Sequence, residues 1–166
     1  MIRIALGLLI ATLAASVDAI YPDIEKLYFD LHRNPELAFH EQRTAATLAA
    51  RVKALGYEVT TGVGGTGVVA ILKNGPGPVV MLRTELDALP IEEKTGLPFA
   101  STVNTKNDAG DIVPVAHMCG HDAHMAAWVG TAELITLSAE DVTAGARALG
   151  EEPERERPRG GLFRRR

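Results

Sequence analysis

The chain has 166 residues, of which 46% are hydrophobic and 23% are charged, and its formal net charge is −4. This balance is typical of one compact domain with a hydrophobic core and excludes a wholly disordered chain. Arginines crowd the C-terminus, but they alternate with glutamates and no aromatic residues are interleaved with them. We therefore expect no nucleic-acid partner.

Residues 1–19 are predicted to be a secretory signal peptide. A short positive start precedes an apolar stretch that is too short to cross a bilayer of about 30 Å as a helix, and small residues at 17–19 offer a cleavage site. An uncleaved anchor or an apolar first helix is the alternative. We expect a secreted or periplasmic protein that makes no membrane contact after cleavage.

Two amphipathic helices are predicted to follow. Asp23 is a suitable N-cap for the first, and Asn34-Pro35 ends its apolar pattern. The second begins near Glu41 and ends at Gly56, in the position after a helix that favours glycine. Its apolar residues recur with the 3.6-residue period of a helix and are Ala45, Leu48, Ala49, Val52 and Leu55.

Three strands are predicted next, at residues 57–61, 68–73 and 79–83. The last two are nearly all apolar, which is typical of strands that are buried on both faces. Such strands need helices above and below the sheet. The sequence therefore predicts an α/β fold with a partial layered sheet and flanking helices, in a domain covering residues 20–141.

A glycine cluster between the first two predicted strands has the spacing of a dinucleotide-binding loop. Gly62, Gly64 and Gly67 fit that spacing, and Glu85 lies at a suitable distance downstream. The loop is followed by a β-branched apolar segment, whereas a dinucleotide site requires a helix there. We interpret the cluster as a flexible turn between two strands.

Metal-ligand side chains are concentrated in residues 117–124, which hold the only cysteine and three of the five histidines. Cys119 and His121 are two residues apart, and Gly120 between them allows a tight turn that brings both onto one ion. The alternative is a small buried cysteine with histidines near a helix start. Asp122 can cap the helix predicted at residues 123–137.

Two carboxylates, Glu85 and Asp87, follow the third predicted strand. They could be ordinary solvated charges beyond the edge of the sheet. Beside Cys119 and His121 another interpretation is favoured, because a carboxylate that accepts the second ring N–H of a ligating histidine is the usual partner at a zinc or manganese site.

Six motifs follow one another in a specific order. They are His-Arg-Asn-Pro-Glu-Leu at 32–37, Gly-Thr-Gly-Val at 65–68, Leu-Arg-Thr-Glu-Leu-Asp-Ala-Leu-Pro at 82–90, Thr-Gly-Leu-Pro-Phe-Ala-Ser at 95–101, Cys-Gly-His-Asp at 119–122 and Gly-Thr-Ala-Glu-Leu at 130–134. This order resembles the metal-dependent amidohydrolases of the aminoacylase-type metallopeptidase clan, which include hippurate hydrolases, N-acyl-amino-acid amidohydrolases and auxin-conjugate hydrolases. The resemblance runs from about residue 21 to residue 135 and covers the N-terminal portion of a complete family member.

The resemblance implies the N-terminal part of a dinuclear-metal peptidase catalytic domain, with two divalent ions (zinc, manganese or cobalt). It implies that Cys119 and His121 are metal ligands and that Asp87 orients a ligand. Glu85 stands where this family usually has aspartate. The implied reaction is hydrolysis of a small N-acyl amino acid or similar amide by a metal-activated water, with a glutamate as general base.

The family's general base belongs to a Glu-Glu pair that follows a strand beyond the Cys-Gly-His-Asp helix. Glu151-Glu152 is the only downstream pair, and it has no preceding strand, so we do not expect it to be catalytic. Residues 142–166 are rich in arginine, glutamate, glycine and proline and are predicted to be a disordered tail. Translation in a shifted reading frame would also produce such a composition.

Three hypotheses follow for the function. The chain is part of an exported amidohydrolase, or it is a noncatalytic remnant that binds metal weakly, or it is a small binding module that uses its basic tail. By lineage we expect the first. For the 166-residue chain by itself we expect no turnover, because a catalytic zinc generally needs three protein ligands and a base.

Overall fold

The computed structural model describes the backbone of residues 2–148 and the side chains of residues 16–138. Glu151-Glu152 and residues 149–166 of the predicted tail lie outside this range, whereas residues 142–148 of that tail belong to the last helix, which extends beyond its predicted end at residue 137. In chain order, the elements are α1 Ile2–Arg33, α2 Gln42–Ala54, β1 Glu58–Val63, β2 Gly67–Ile71, β3 Asn104–Lys106, β4 Ile112–Pro114 and α3 His121–Ala148.

The first helix is much longer than predicted. Helix α1 joins residues 2–19 to the predicted first helix without a break, and Pro22 lies inside it. Asp23 is therefore not an N-cap, and its carboxylate instead pairs with Arg51 of α2. The helix ends before Asn34 as predicted, where the Asn34 side-chain amide donates to the Asp30 carbonyl at 2.7 Å. Within the described range, no helix has both the length and the apolar character of a membrane span.

Helix α2 confirms its prediction. The carboxylate of Glu36 accepts hydrogen bonds from the backbone amides of Arg43 at 3.0 Å and Thr44 at 2.7 Å. These amides belong to the first turn, where a helix cannot satisfy its own donors. The helix ends before Gly56, whose φ of +89° is the left-handed conformation that glycine adopts most readily. Its buried side chains are Thr44, Ala45, Leu48, Ala49 and Val52.

The main hydrophobic core lies among the three helices. Gly130 lets α3 approach α1 closely, because a Cβ at this position would lie 3.4 Å from Ile24. On α3, Met125 and Val129 are buried, whereas Ile135 is exposed. The core cluster consists of Leu27, Leu31, Leu48, Met125 and Val129, with Ile24, Leu86 and Trp128 packed against it.

The strands form two antiparallel hairpins, β1 with β2 and β3 with β4. The first hairpin confirms the first two predicted strands, with a register from Glu58 opposite Ile71 to Val63 opposite Gly67. The predicted burial of the second strand is wrong, since Val69 and Ile71 of β2 are exposed. The glycine cluster forms the turn of this hairpin, as expected.

The third predicted strand is not formed. Residues 79–83 have no strand partner in the described part of the chain, and Val79, Val80 and Met81 are almost fully exposed. The carbonyl of Leu82 accepts a hydrogen bond from the indole Nε1 of Trp128 at 3.2 Å, in place of a neighbouring strand. The predicted burial of this segment is therefore wrong, since no described element covers it.

Short bridges bring the segment after residue 86 to the start of α3. Ala88 pairs with Leu37, and Leu89 exchanges two backbone hydrogen bonds of 3.0 Å with Ala116. Leu37, Ala88 and Val115 form a second buried cluster. Residue 87 is thereby fixed beside residues 117–121. The small sheets with flanking helices agree with the predicted α/β class.

The central packing predicts a large cavity cost at Leu31, which is fully buried among the helices. Leu31→Ala should lower the free energy of unfolding by about 2–5 kcal/mol, because the lost contacts leave a void. Urea denaturation followed by circular dichroism measures this change. Leu97→Ala, at a leucine that is 43% exposed, is the matched control and should cost much less. Equal losses in the two variants would contradict the assignment of this core.

Candidate metal centre

The Cys-Gly-His run forms a tight turn directly before α3. Gly120 has a φ of +77°, a left-handed conformation that its lack of a Cβ permits. Its amide donates to the His117 carbonyl at 3.1 Å, and its own carbonyl accepts from the His124 amide at 3.1 Å. Cys119 is exposed with a free thiol, and His121 is the first residue of α3. The turn that was predicted for Gly120 is confirmed.

The ring of His121 is oriented by Asp87. Its Nδ1 lies 2.9 Å from the Asp87 backbone carbonyl and 3.2 Å from the carboxylate Oδ1. Both of these oxygens are acceptors, so Nδ1 carries the proton and donates. The neutral ring then has its lone pair on Nε2, the nitrogen that can bind a metal. The structure thus brings together two of the residues that were predicted for the site.

His117 differs from its neighbours in being buried, with only 5% of its surface exposed. Burial lowers the pKa of its imidazole below the ordinary value, which favours the neutral ring. Neither ring nitrogen has a hydrogen-bond partner within the described structure. Such unpaired buried nitrogens are uncommon and costly. Sequence reasoning gave this residue no role, and only its burial distinguishes it from the exposed His124.

A second polar cluster lies behind the turn and is called the His32 triad here, comprising His32, Asp122 and Glu93. Nδ1 of His32 lies 2.6 Å from Asp122 Oδ2, and Nε2 lies 3.1 Å from Glu93 Oε1. The three side chains are 9%, 2% and 0% exposed. Because both ring nitrogens face carboxylates, both must donate, and His32 is an imidazolium. Asp122 is thus a buried partner of His32, whereas the sequence suggested only a helix cap.

The His32 triad shifts two pKa values in opposite directions. Burial opposes the charged ring, yet the hydrogen bonds to Asp122 and Glu93 outweigh it and raise the pKa of His32. Burial also opposes the charged form of Glu93. Donors from Thr95, the Ser101 amide and His32 outweigh that effect and lower the pKa of Glu93. Hydrogen bonds from neighbouring groups therefore stabilise the charged forms of both His32 and Glu93.

Glu85 and His124 lie at the periphery of the turn. Arg83 forms an ion pair with Glu85 at 2.7 Å, and this hydrogen bond lowers the pKa of Glu85. The ring of His124 lies 6.0 Å from that of His121. Among the side chains that the structure describes, no group of three or more His, Cys, Asp or Glu residues could hold a metal ion.

The donor chemistry of the turn fits a divalent ion in part. A thiol and an imidazole whose Nδ1 is occupied by Asp87 are donors that zinc and similar metals accept. Cys119 and His121 would supply two donors of such a site. The roles of these two residues and of Asp87 stay predictions.

Comparisons with known proteins relate the chain to one hydrolase family. The profile of the family described as Peptidase family M20/M25/M40 matches residues 81–159, a range that includes the Cys-Gly-His turn. The chain is 36% identical over 143 residues to the hippurate hydrolase of Campylobacter jejuni, covering 78% of this chain and 35% of that protein. It is 34% identical over 145 residues to the N-acyl-L-amino acid amidohydrolase of Geobacillus stearothermophilus, covering 87% of this chain and 37% of that protein.

The fold is similar to a solved structure of the same family. The YXEP protein of Bacillus subtilis, a dinuclear metal binding peptidase from the M20 family, superposes with a TM-score of 0.63 and 35% identity. The match covers 74% of this chain and 32% of that protein. The chain thus spans about a third of the length of the relatives it matches. These findings confirm the resemblance that the motif order predicted.

The His32 triad predicts a stability optimum in mildly acidic solution. Because the pKa of His32 is raised, its contribution is fully present below the ordinary value of 6.5 and is lost as the pH rises through the folded value. Because the pKa of Glu93 is lowered, its contribution is present above the ordinary value of 4.5 and is lost as the pH falls through the folded value. The stability that the triad contributes should therefore be greatest between about pH 4.5 and 6.5. Thermal denaturation of the wild type and of His32→Leu between pH 3 and pH 9 measures this contribution as a difference, in which the opposite effect of the lowered pKa of His117 cancels.

His32→Leu tests the source of this optimum. It leaves two buried carboxylates without a cation and should cost about 3–5 kcal/mol near pH 6. His40→Leu is the matched control, because His40 pairs with Asp108 at the surface and should contribute at most about 1 kcal/mol. A wild-type pH profile retained in His32→Leu would show that other groups set the optimum.

Proposed function

Because its motif order, its fold and the family profile all relate this chain to the metal-dependent amidohydrolases of peptidase family M20, we propose that it supplies part of a metal centre that hydrolyses N-acyl amino acids. The observation that carries this proposal is the Cys119-Gly120-His121 turn at the start of α3, with the His121 ring held by Asp87. The turn supplies a thiol and an imidazole of fixed tautomer, and Asp87 in the adjacent segment supplies the orienting carboxylate.

In this proposal Cys119 and His121 would hold a divalent ion, and Asp87 would orient His121 from behind. The hydrogen bond to Nδ1 fixes the tautomer and makes the ring a better ligand. When bound, such an ion polarises a carbonyl oxygen and lowers the pKa of a bound water. Zinc, manganese and cobalt all accept a thiolate and an imidazole, and the dinuclear neighbour supports a site for two ions.

The substrate that we propose is an N-acyl amino acid. The names of two relatives, a hippurate hydrolase and an N-acyl-L-amino acid amidohydrolase, support this class. The apolar character of residues 4–15 supports export to an oxidising compartment. There a bound metal would protect the single exposed thiol.

The general base is expected to come from outside the described residues. Glu85 is held by Arg83 at the surface, and Glu93 is held by His32 in the interior. Neither carboxylate is therefore placed to take a proton from water in the turn. We expect the 166-residue chain to bind metal without turnover.

A chimeric enzyme tests the proposed function. Residues 20–135 of this chain would replace the matched segment of the Bacillus subtilis YXEP protein, so that the remainder of that protein supplies the other two thirds of the fold. The chimera should hydrolyse N-acetyl or N-benzoyl amino acids in a chelator-sensitive reaction. Cys119→Ala and His121→Ala should each reduce kcat/KM by more than about 100-fold, because a catalytic metal supplies several kcal/mol.

The matched control in this chimera is His124→Ala, which removes a neighbouring histidine whose side chain is exposed. It should retain most of the activity. Asp87→Asn should lose about 10- to 100-fold through the misoriented ligand. A folded, metal-loaded chimera that is inactive, or one that is active and indifferent to Cys119→Ala, would refute the proposal.

A further inference from the structure

The His32 triad joins three separate parts of the chain behind the candidate metal centre. His32 belongs to the last turn of α1, Asp122 lies in the first turn of α3, and Glu93 lies in the loop that precedes β3. The partners of His32 are 90 and 61 residues away along the chain. All three side chains are buried, so these contacts are protected from water.

We propose that His32 is a positioning residue for the candidate metal centre: through its hydrogen bond to Asp122 it fixes the first turn of α3 and thereby the ring of His121. The inference rests on the proposed function only in treating His121 as a metal ligand. The positioning itself is a property of the metal-free chain.

The geometry supports this role because Asp122 directly follows His121. The carboxylate of Asp122 is held by His32 at 2.6 Å, while Nδ1 of His121 is held by Asp87 at 2.9 Å. Asp87 is fixed in turn, since the next residue, Ala88, donates from its backbone to the Glu36 carbonyl at 2.8 Å. Two hydrogen bonds, from His121 to Asp87 and from His32 to Asp122, therefore fix the start of α3. A rotation of this turn would break one of them.

The surroundings of His32 favour a rigid contact. The ring of Phe99 lies edge-on at 5.2 Å, and that of Tyr28 lies at 5.7 Å. Burial, with the charges of Asp122 and Glu93, raises the pKa of Tyr28, so its hydroxyl stays neutral. The aromatic rings limit the access of water, and a buried hydrogen bond between charged groups is stronger than an exposed one.

Two conservative substitutions separate the two contacts of His32. The side-chain amide of asparagine can donate from about the position of Nδ1, and that of glutamine from about the position of Nε2. His32→Asn can therefore keep the contact to Asp122, whereas His32→Gln can keep only the contact to Glu93. Each variant loses the imidazolium charge and one of the two hydrogen bonds, so a merely structural role predicts similar effects.

The test is nitrogen NMR of the histidine rings in the metal-free 166-residue chain near neutral pH. In the wild-type chain and in His32→Asn, His121 should show one Nδ1-protonated tautomer. In His32→Gln, it should show a mixture of tautomers. Zinc affinity should follow the same order, about unchanged in His32→Asn and about 10-fold weaker in His32→Gln, the size of effect typical of residues behind a ligand.

A second pair of variants leaves His32 in place. Glu93→Gln should preserve the His121 tautomer, and Asp122→Asn should lose it. His40→Gln, at an exposed histidine paired with Asp108, is the control and should change neither reading. Thermal denaturation of every variant reports folding separately.

The proposal is overturned if His121 keeps a single tautomer in both His32→Gln and Asp122→Asn, or if its loss merely follows the loss of stability across all variants. Failure of the proposed function has a different signature. A wild-type chain that binds no zinc but shows the expected tautomer pattern would refute the metal centre and retain the positioning role.

Discussion

Two neighbouring residues at the start of α3 are held by two different segments of the chain, and the arrangement of the site depends on this constraint. His121 contacts Asp87 in the segment that bridges to Leu37 and Ala116, and Asp122 contacts His32 at the end of α1. In the turn before them, Cys119 is exposed and so has little packing of its own to fix the thiol. The position of the thiol and the imidazole is therefore set by long-range hydrogen bonds and by the packing of α1 against α3.

The apolar core and the polar triad stabilise the same helix contact in different ways. Leu31 packs in the core, and the adjacent His32 carries the buried charge. Hydrophobic burial is non-directional and brings α1 and α3 together. The hydrogen bonds of His32 are directional, and the positioning role proposed for His32 concerns the rotation of the first turn of α3.

Local patterns predicted local structure, and they failed where distant partners decide. The helical period and Gly56 located α2, and the glycine between Cys119 and His121 located the turn, because both depend on neighbouring residues. The pairing of His32 with Asp122 spans 90 residues and leaves no periodic signal, so Asp122 suggested only a cap. At residues 79–83 a strand was predicted but does not form. An apolar run indicates a tendency to be buried, but it does not identify the neighbouring strand that would bury it. The family resemblance depends on the order of six motifs along the chain, and no single motif is sufficient to show it.

X-ray absorption spectroscopy of the zinc-loaded 166-residue chain shows whether the Cys-Gly-His turn binds metal. If it does, zinc should have one sulfur neighbour at about 2.3 Å together with nitrogen or oxygen neighbours at about 2.0–2.2 Å, and the sulfur signal should be lost in Cys119→Ser. His124→Ala should leave the spectrum unchanged. A wild-type spectrum with nitrogen and oxygen neighbours alone would place zinc elsewhere on the protein and refute a metal centre at this turn.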